Sequence, residues 1–131
     1  MKKQKLKGLF INVVEKTVSE VEIVNNLESI YELLNCETIE SGYGYLFASA
    51  NHVMFVDEEG LLKTPLGAFQ IFDYPPISGN AIIFSSDEEG ELQDHYCIIE
   101  KIRVMVKFCD ITELPEPNIK VFSWEDFFPN N

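Results

Sequence analysis

The chain has 131 residues, of which 46% are hydrophobic and 12% aromatic, so it can bury the core of one globular domain. It carries 22 acidic and 10 basic residues, a net charge of -12, and without the lysines at positions 2, 3, 5 and 7 the charge would be -16. A body this acidic repels phosphate backbones and anionic lipids. The balance excludes direct nucleic-acid and membrane binding and favours a basic protein surface as the partner.

Cysteine usage and the N-terminus indicate the compartment. Cys36, Cys97 and Cys109 form neither an even set nor a C-x-x-C pair, which is typical of reduced thiols in the cytosol. The apolar run 8–14 is short, is interrupted by Asn12, and lacks the small-residue cleavage site of a signal peptide. We therefore expect a cytoplasmic protein, and no stretch approaches the length of a membrane span.

The first predicted elements are two strands, Leu6 to Lys16 and Thr17 to Val24, joined by a tight connection at residues 15–17. In the second strand, apolar Val18, Val21 and Ile23 alternate imperfectly with polar residues. This alternation indicates that one face of the strand is solvated.

A helix is predicted from Leu27 to Leu34. Asn25 or Asn26 can cap its start, and Glu28 stands three residues after Asn25 as a capping-box partner. Apolar residues recur at i, i+3, i+4 and i+7, namely Leu27, Ile30, Tyr31 and Leu34.

The sequence Asp-Glu-Glu-Gly occurs twice after an apolar strand, at 57–60 and at 87–90. Acidic residues suit the central positions of a type I turn, and Gly60 or Gly90 can then take a positive φ. We therefore predict two exposed turns. A calcium loop is the competing interpretation, but neither copy has acids at alternate positions followed by a glutamate at the twelfth.

The remaining segments give weaker signals. Residues 65–79, rich in proline, are interpreted as loop, with Leu66 to Phe72 bridging them. Residues 94–110 fit either a strand or a helix capped by Asp94, and the helix is favoured because the strand pattern covers only part of the segment. Together these elements predict a small single α+β domain, mostly antiparallel sheet with one or two helices. We place a basic flexible N-terminus at 1–7, the domain at 8–114 and an aromatic, acidic C-terminal tail at 115–131.

One family resemblance rests on several of these segments. The helix Leu-Glu-Ser-Ile-Tyr-Glu-Leu-Leu at 27–34, the strand and turn at 56–62, Pro-Leu-Gly at 65–67 and the segment 77–84 resemble an uncharacterised family of small proteins from phages, plasmids and other bacterial mobile elements. The family usually has Asn where this chain has Asp57. The resemblance implies a bacterial cytosol and an α+β fold, but it assigns no catalytic residue.

Residues suited to catalysis or metal binding are few. His52 and His95 are the two histidines, Arg103 is the one arginine, and no nucleophile-elbow or phosphate-binding motif occurs, so we expect no enzyme and no cofactor. His95 and Cys97 lie two residues apart, but a zinc site needs a second ligand pair. A solvated histidine beside a buried cysteine is the favoured interpretation, and no metal is expected.

The acid excess favours a non-enzymatic interaction protein that blocks a host defence or regulatory protein, including by mimicry of DNA on a nucleic-acid-binding surface. The predicted protein-binding residues are the acids and aromatics best placed for contact: Asp57, Glu58, Glu59, Asp87, Glu88, Glu89, Glu91, Phe122, Trp124, Phe127 and Phe128. The tail aromatics fit equally well into the domain's own core, and a homodimer through the tail is a third option. The alternative function is small-molecule binding by a pocket lined by Tyr43, Tyr45, Phe72 and Tyr74.

Overall fold

The computed structural model describes residues 4–42, 52–59, 67–71 and 75–109. The elements in this part of the chain, in chain order, are β1 (Lys5–Asn12), β2 (Thr17–Val24), α1 (Leu27–Leu34), β3 (Ile39–Gly42), β4 (His52–Asp57), β5 (Ala68–Ile71), β6 (Ile77–Ser78), β7 (Ala81–Ser86), β8 (Leu92–Gln93), α2 (Ile99–Met105) and β9 (Val106–Cys109). Strands pair antiparallel throughout these residues, so the predicted α+β fold with a mostly antiparallel sheet is confirmed.

The larger sheet has the order β2-β1-β7-β4-β3, with β8 added beside the end of β7. On its first face, a core that includes Leu9, Ile11 and Ile83 packs against the smaller sheet β6-β5-β9 and against α2. On its second face, Leu6, Ile82 and Phe84 pack against α1. These two faces are called face 1 and face 2 below. Because β7 is central and covered on both faces, residues 81–85 are all buried.

The predicted β1–β2 hairpin is confirmed, although β1 ends at Asn12 and not at Lys16. The reason is local. The Asn12 side chain accepts hydrogen bonds from the backbone N–H groups of Val14 (3.0 Å) and Glu15 (3.1 Å), which turns the chain before the strand can continue. Lys16 then takes a left-handed conformation with φ 58° and leads into β2.

Helix α1 has the predicted bounds, Leu27–Leu34. Its N-cap is Asn26, whose side chain accepts from the Ser29 N–H at 2.8 Å, so Glu28 is not the capping-box partner. Ile30 and Leu34 are buried as the periodicity predicts. Leu27, in the first turn, is 56% exposed.

The segment 94–110 divides between the two competing interpretations. Its first part contains helix α2 and its second part is strand β9, with Val104 exposed and Val106 buried. The Asp94 side chain does not cap α2. It accepts instead from the Lys7 N–H at 2.9 Å, and the N-cap residue of α2 is Ile98, which makes no side-chain cap.

The region predicted as loop contains strands β5 and β6, which pair with each other while β5 also pairs with β9. Ala68, Phe69 and Ile71 are almost fully buried. The prediction was wrong because the strand is only four residues long, lies among prolines, and pairs with a segment far along the chain. Pairing of that kind leaves no local signal.

The N-terminal boundary also differs from the predicted flexible segment 1–7, because residues 5–7 lie in β1. Leu6 is fully buried on face 2, while Lys5 and Lys7 are exposed. Successive side chains of a strand lie on opposite faces, so Lys5 and Lys7 lie on the face opposite to that of Leu6, which packs in the core. In the described part of the chain, no helix is long and apolar enough to cross a membrane.

Substitution of Gly8 or Gly90 by alanine should lower the stability of the fold for two different reasons. A Cβ at Gly8 would lie 2.7 Å from a ring atom of Phe84 and 2.8 Å from Ile82, so Gly8→Ala should lower the free energy of unfolding by about 1–3 kcal/mol through overpacking. A Cβ at Gly90 meets nothing within 4 Å, but its φ is +84°, so Gly90→Ala should cost about 1 kcal/mol through backbone strain. Urea denaturation measures both.

A second substitution separates the two causes. Phe84→Leu should cost less stability in the Gly8→Ala background than in the parent, because it removes the crowded ring atom, and should cost the same in Gly90→Ala as in the parent. Unchanged stability of Gly90→Ala would contradict the assignment of a positive φ to the second acidic turn.

Candidate interaction surface and histidine cluster

The second acidic turn, residues 87–91, is built by the carboxylate of Asp87. Its Oδ1 accepts from the backbone N–H groups of Glu89 and Glu91, both at 2.9 Å, and the Asp87 N–H donates to the Glu91 carbonyl at 2.9 Å. All five residues are exposed, which confirms this predicted turn. Asp87 therefore holds the turn, and the exposed carboxylates that it leaves at this turn are those of Glu88, Glu89 and Glu91.

The first acidic turn begins in the same way. The Asp57 Oδ1 accepts from the Glu59 N–H at 2.9 Å, and Glu58 and Glu59 are exposed. The Glu58 N–H donates to the Thr38 carbonyl at 3.2 Å, so this turn is tied to the segment that leads into β3. Gly60, the predicted end of the turn, lies outside the described residues.

The two acidic turns lie at opposite ends of the larger sheet. β4 and β7 are antiparallel, with Val56 opposite Ala81 and His52 opposite Ser85. The turn that follows β4 therefore lies beside the start of β7, whereas the second turn follows its end. The five residue steps from Ala81 to Ser86 span about 17 Å at the usual rise per residue. The turns do not form one continuous acidic patch.

The β3–β4 pairing adds acids to the first turn that sequence reasoning missed. Ile39 lies opposite Asp57 and Glu40 opposite Val56, so Glu37 and Glu40 join the acids of residues 57–59 at this end. Partial burial of the carboxyl group, followed by repulsion from Glu58, raises the pKa of Glu40. Only the strand register places Glu40 near Glu58, so residue spacing alone does not indicate this approach.

Two histidines meet on face 1 at the end of the sheet nearest the second acidic turn. His52 is 7% exposed, and its Nε2 accepts from the Tyr96 N–H at 3.3 Å while its ring lies 4.2 Å from the Tyr96 ring. The His95 Nδ1 accepts from the Cys97 N–H at 3.1 Å, and its Nε2 lies 2.7 Å from Glu20 Oε1. Burial, followed by the nearby His95, lowers the pKa of His52.

His95 is not the solvated residue that the sequence predicted, because its side chain is only 3% exposed. The error has a physical cause. A polar residue in an irregular segment is usually solvated, but here residues 94–98 lie against β1, where the His95 N–H donates to the Lys7 carbonyl at 2.9 Å. Glu20, on the neighbouring strand, then supplies a carboxylate that no local pattern indicates.

The groups in this cluster are engaged in ways that do not suit nucleophilic catalysis. The Ser85 hydroxyl donates to the Asp94 carbonyl at 2.6 Å, so its proton is not directed at a base. Burial raises the pKa of Cys97, which keeps the thiol protonated and weakly nucleophilic. Within the described residues, no three His, Cys, Asp or Glu side chains are placed to hold a metal ion. The absence of bound zinc stays a prediction, which metal analysis of the purified protein can test.

Several predicted site residues lie outside the described residues. They are the four tail aromatics, Phe122, Trp124, Phe127 and Phe128, and the four residues of the alternative ligand pocket, Tyr43, Tyr45, Phe72 and Tyr74. The interface and pocket roles assigned to them stay predictions.

A family model described as a domain of unknown function, DUF3846, matches residues 6–106. Neither the curated proteins nor the solved structures gave a match to the chain. The matched region begins at the buried Leu6 and ends at the buried Val106, so it contains both faces of the larger sheet and the histidine cluster.

The raised pKa of Glu40 predicts a stabilising substitution. A carboxyl whose pKa is higher in the folded state favours folding below its unfolded pKa, near 4.5, and loses that contribution as the pH rises through the folded pKa. At neutral pH the charge therefore opposes folding, so Glu40→Gln should raise the Tm by roughly 1–3 °C. The gain should disappear as the pH falls towards 4.5, because Glu40 is then neutral in the parent protein.

Thermal unfolding followed at several pH values provides the measurement. Glu32→Gln, at an exposed position on α1, is the matched control, because it makes the same chemical change away from the acidic turns. A Tm for Glu40→Gln that is lower than that of the parent at neutral pH, or a gain that persists at low pH, would count against a raised pKa of Glu40.

Proposed function

The chain belongs to the DUF3846 family, and from the charge and placement of its acids we propose that it is a non-enzymatic interaction protein that covers a basic protein surface. The observation that carries the proposal is that a fixed backbone holds the acids outward. The Asp87 carboxylate accepts hydrogen bonds within its own turn and thereby holds Glu88, Glu89 and Glu91 outward. Charges held in place lose less entropy on binding than charges on a flexible chain.

The net charge of -12 supports a basic partner over other classes of ligand. An acidic surface raises the rate of encounter with a positively charged surface and rejects partners of its own sign. The finer setting of the proposal is a phage or mobile-element protein that blocks a host defence or regulatory protein in the bacterial cytoplasm. It follows from the resemblance of residues 27–34, 56–62, 65–67 and 77–84 to such proteins.

DNA mimicry is a specific form of this proposal, and the geometry limits how it would operate. The two acidic turns lie about 17 Å apart along the strand direction, with the largely apolar β4 and β7 between them. A mimic would therefore contact a nucleic-acid-binding cleft at two separate points or use one end alone. The end near β3 carries five acids, Glu37, Glu40, Asp57, Glu58 and Glu59, and the other end carries the three outward glutamates of the second turn.

The test compares three variants that each remove three negative charges. One changes Glu40, Glu58 and Glu59 to glutamine, the second changes Glu88, Glu89 and Glu91, and the control changes the exposed Glu15, Glu32 and Glu100 at other places. Asp57 and Asp87 are kept because they hold the turns. Each protein is immobilised and exposed to bacterial lysate at low and high salt, and the retained proteins are identified by mass spectrometry.

We expect a specific basic protein to be retained by the parent and the control and to be lost or reduced with one turn variant. Its association rate should fall by about tenfold at low salt, and the salt dependence should weaken, because steering by charge is screened within a Debye length. Release of the partner by added duplex DNA would identify a nucleic-acid-binding surface. Equal retention by all four proteins, or an equal loss in all three variants, would contradict the proposal.

A further inference from the structure

The segment Asp94–Ile98, which we call the strap, joins β8 to α2 and completes the sheet where β1 and β7 separate. β1 pairs with β7 only from Leu9 to Ile11. Two residues before Leu9, the Lys7 N–H donates to the Asp94 carboxylate, and the Lys7 carbonyl accepts from the His95 N–H. The strap thus takes the place of β7 as the partner of β1 at this end.

The second half of the strap is tied down by two imidazole rings. Its successive N–H groups, at Tyr96 and Cys97, donate to His52 Nε2 at 3.3 Å and to His95 Nδ1 at 3.1 Å. An imidazole nitrogen accepts a hydrogen bond only while it carries no proton. A proton on His52 Nε2 would point at the Tyr96 N–H and replace an attraction with a repulsion.

We propose that the strap is an acid-responsive latch, which is held closed by the neutral ring of His52 and released when that ring is protonated. The strap is suited to local opening because two of its five side chains lie largely in solvent: Tyr96 is 61% exposed and Ile98 is 54% exposed. Segments with little buried apolar surface open at a lower free-energy cost than the whole fold. The inference does not depend on the proposed partner.

The groups that face His52 decide where the latch acts. Ser85 lies opposite on β7, and the strap brings Asp94, His95, Tyr96 and Cys97 to the same place. The charged groups of β1 and β2 nearest to the strap are Lys7 and Glu20, and Glu20 binds the far nitrogen of His95. Burial, and then His95, lowers the pKa of His52, so the closed state resists protonation.

The lowered pKa of His52 in the closed state determines how the stability of the latch changes with pH. With the strap open, His52 regains a pKa near its ordinary value of 6.5. As the pH falls below that value, the open state therefore binds a proton, whereas the closed state does not. The latch is fully stable above about pH 6.5 and weakens as the pH falls towards the pKa of the closed state. In that window, linkage of one proton to opening increases the open population by up to about tenfold for each pH unit.

Amide hydrogen exchange followed by NMR measures the opening residue by residue. Protection of the Tyr96 N–H, corrected for intrinsic exchange, should fall by about threefold between about pH 7 and about pH 6. The Val13 N–H is the internal control, because its acceptor is the Asn80 side chain at 2.8 Å, which does not titrate. Its protection should stay constant. A parallel fall at Val13 would indicate global unfolding and would overturn the latch, as would constant protection at Tyr96.

Two variants replace each ring by an amide that keeps an oxygen at the position of the accepting nitrogen. His52→Gln should flatten the pH dependence at Tyr96, because its acceptor no longer titrates. His95→Asn should leave the His52-linked fall at Tyr96 in place, because the acceptor of the Tyr96 N–H still titrates. An undiminished fall in His52→Gln would overturn the assignment. If either variant is unfolded, the comparison of Tyr96 with Val13 in the parent protein decides the proposal.

Discussion

Burial of β7 on both faces is the constraint on which the rest of the structure depends. Ala81 and Ile83 face the smaller sheet, and Ile82 and Phe84 face the side covered by α1. A strand with two apolar faces is stable only in the middle of a sheet, so it needs a neighbour on each side and a layer above and below. β1 and β4 are those neighbours, and both run antiparallel to β7.

This arrangement determines where the two acidic turns lie. Since β4 and β7 run in opposite directions, the acidic turns that follow them are sent to opposite ends of the sheet, although the two turns have the same sequence. The repeat at 57–60 and 87–90 therefore reflects the same turn chemistry used twice, with an aspartate that accepts from the backbone two residues later in each copy. Charge separation is a consequence of packing the core.

The parts of the fold that the sequence predicted are those determined by neighbouring residues. The hairpin, α1 and the second acidic turn each depend on hydrogen bonds within four positions along the chain, from the side chains of Asn12, Asn26 and Asp87. The smaller sheet could not be predicted in the same way, because β5 pairs with β9 across more than thirty residues. For the candidate site, spacing indicated the exposed glutamates but not the approach of Glu40 to Glu58, nor that of His95 to Glu20.

The buried histidines can be understood from the backbone groups around them. Because β1 pairs with β7 only from Leu9 onward, the N–H and carbonyl of Lys7 take partners other than β7. The strap supplies those partners, but its own N–H groups at Tyr96 and Cys97 then need acceptors, which His52 and His95 provide. Apolar residues at these positions would pack without a desolvation penalty, yet they would leave the strap without its acceptors. The side chains that complete the sheet are therefore the ones that make it sensitive to acid.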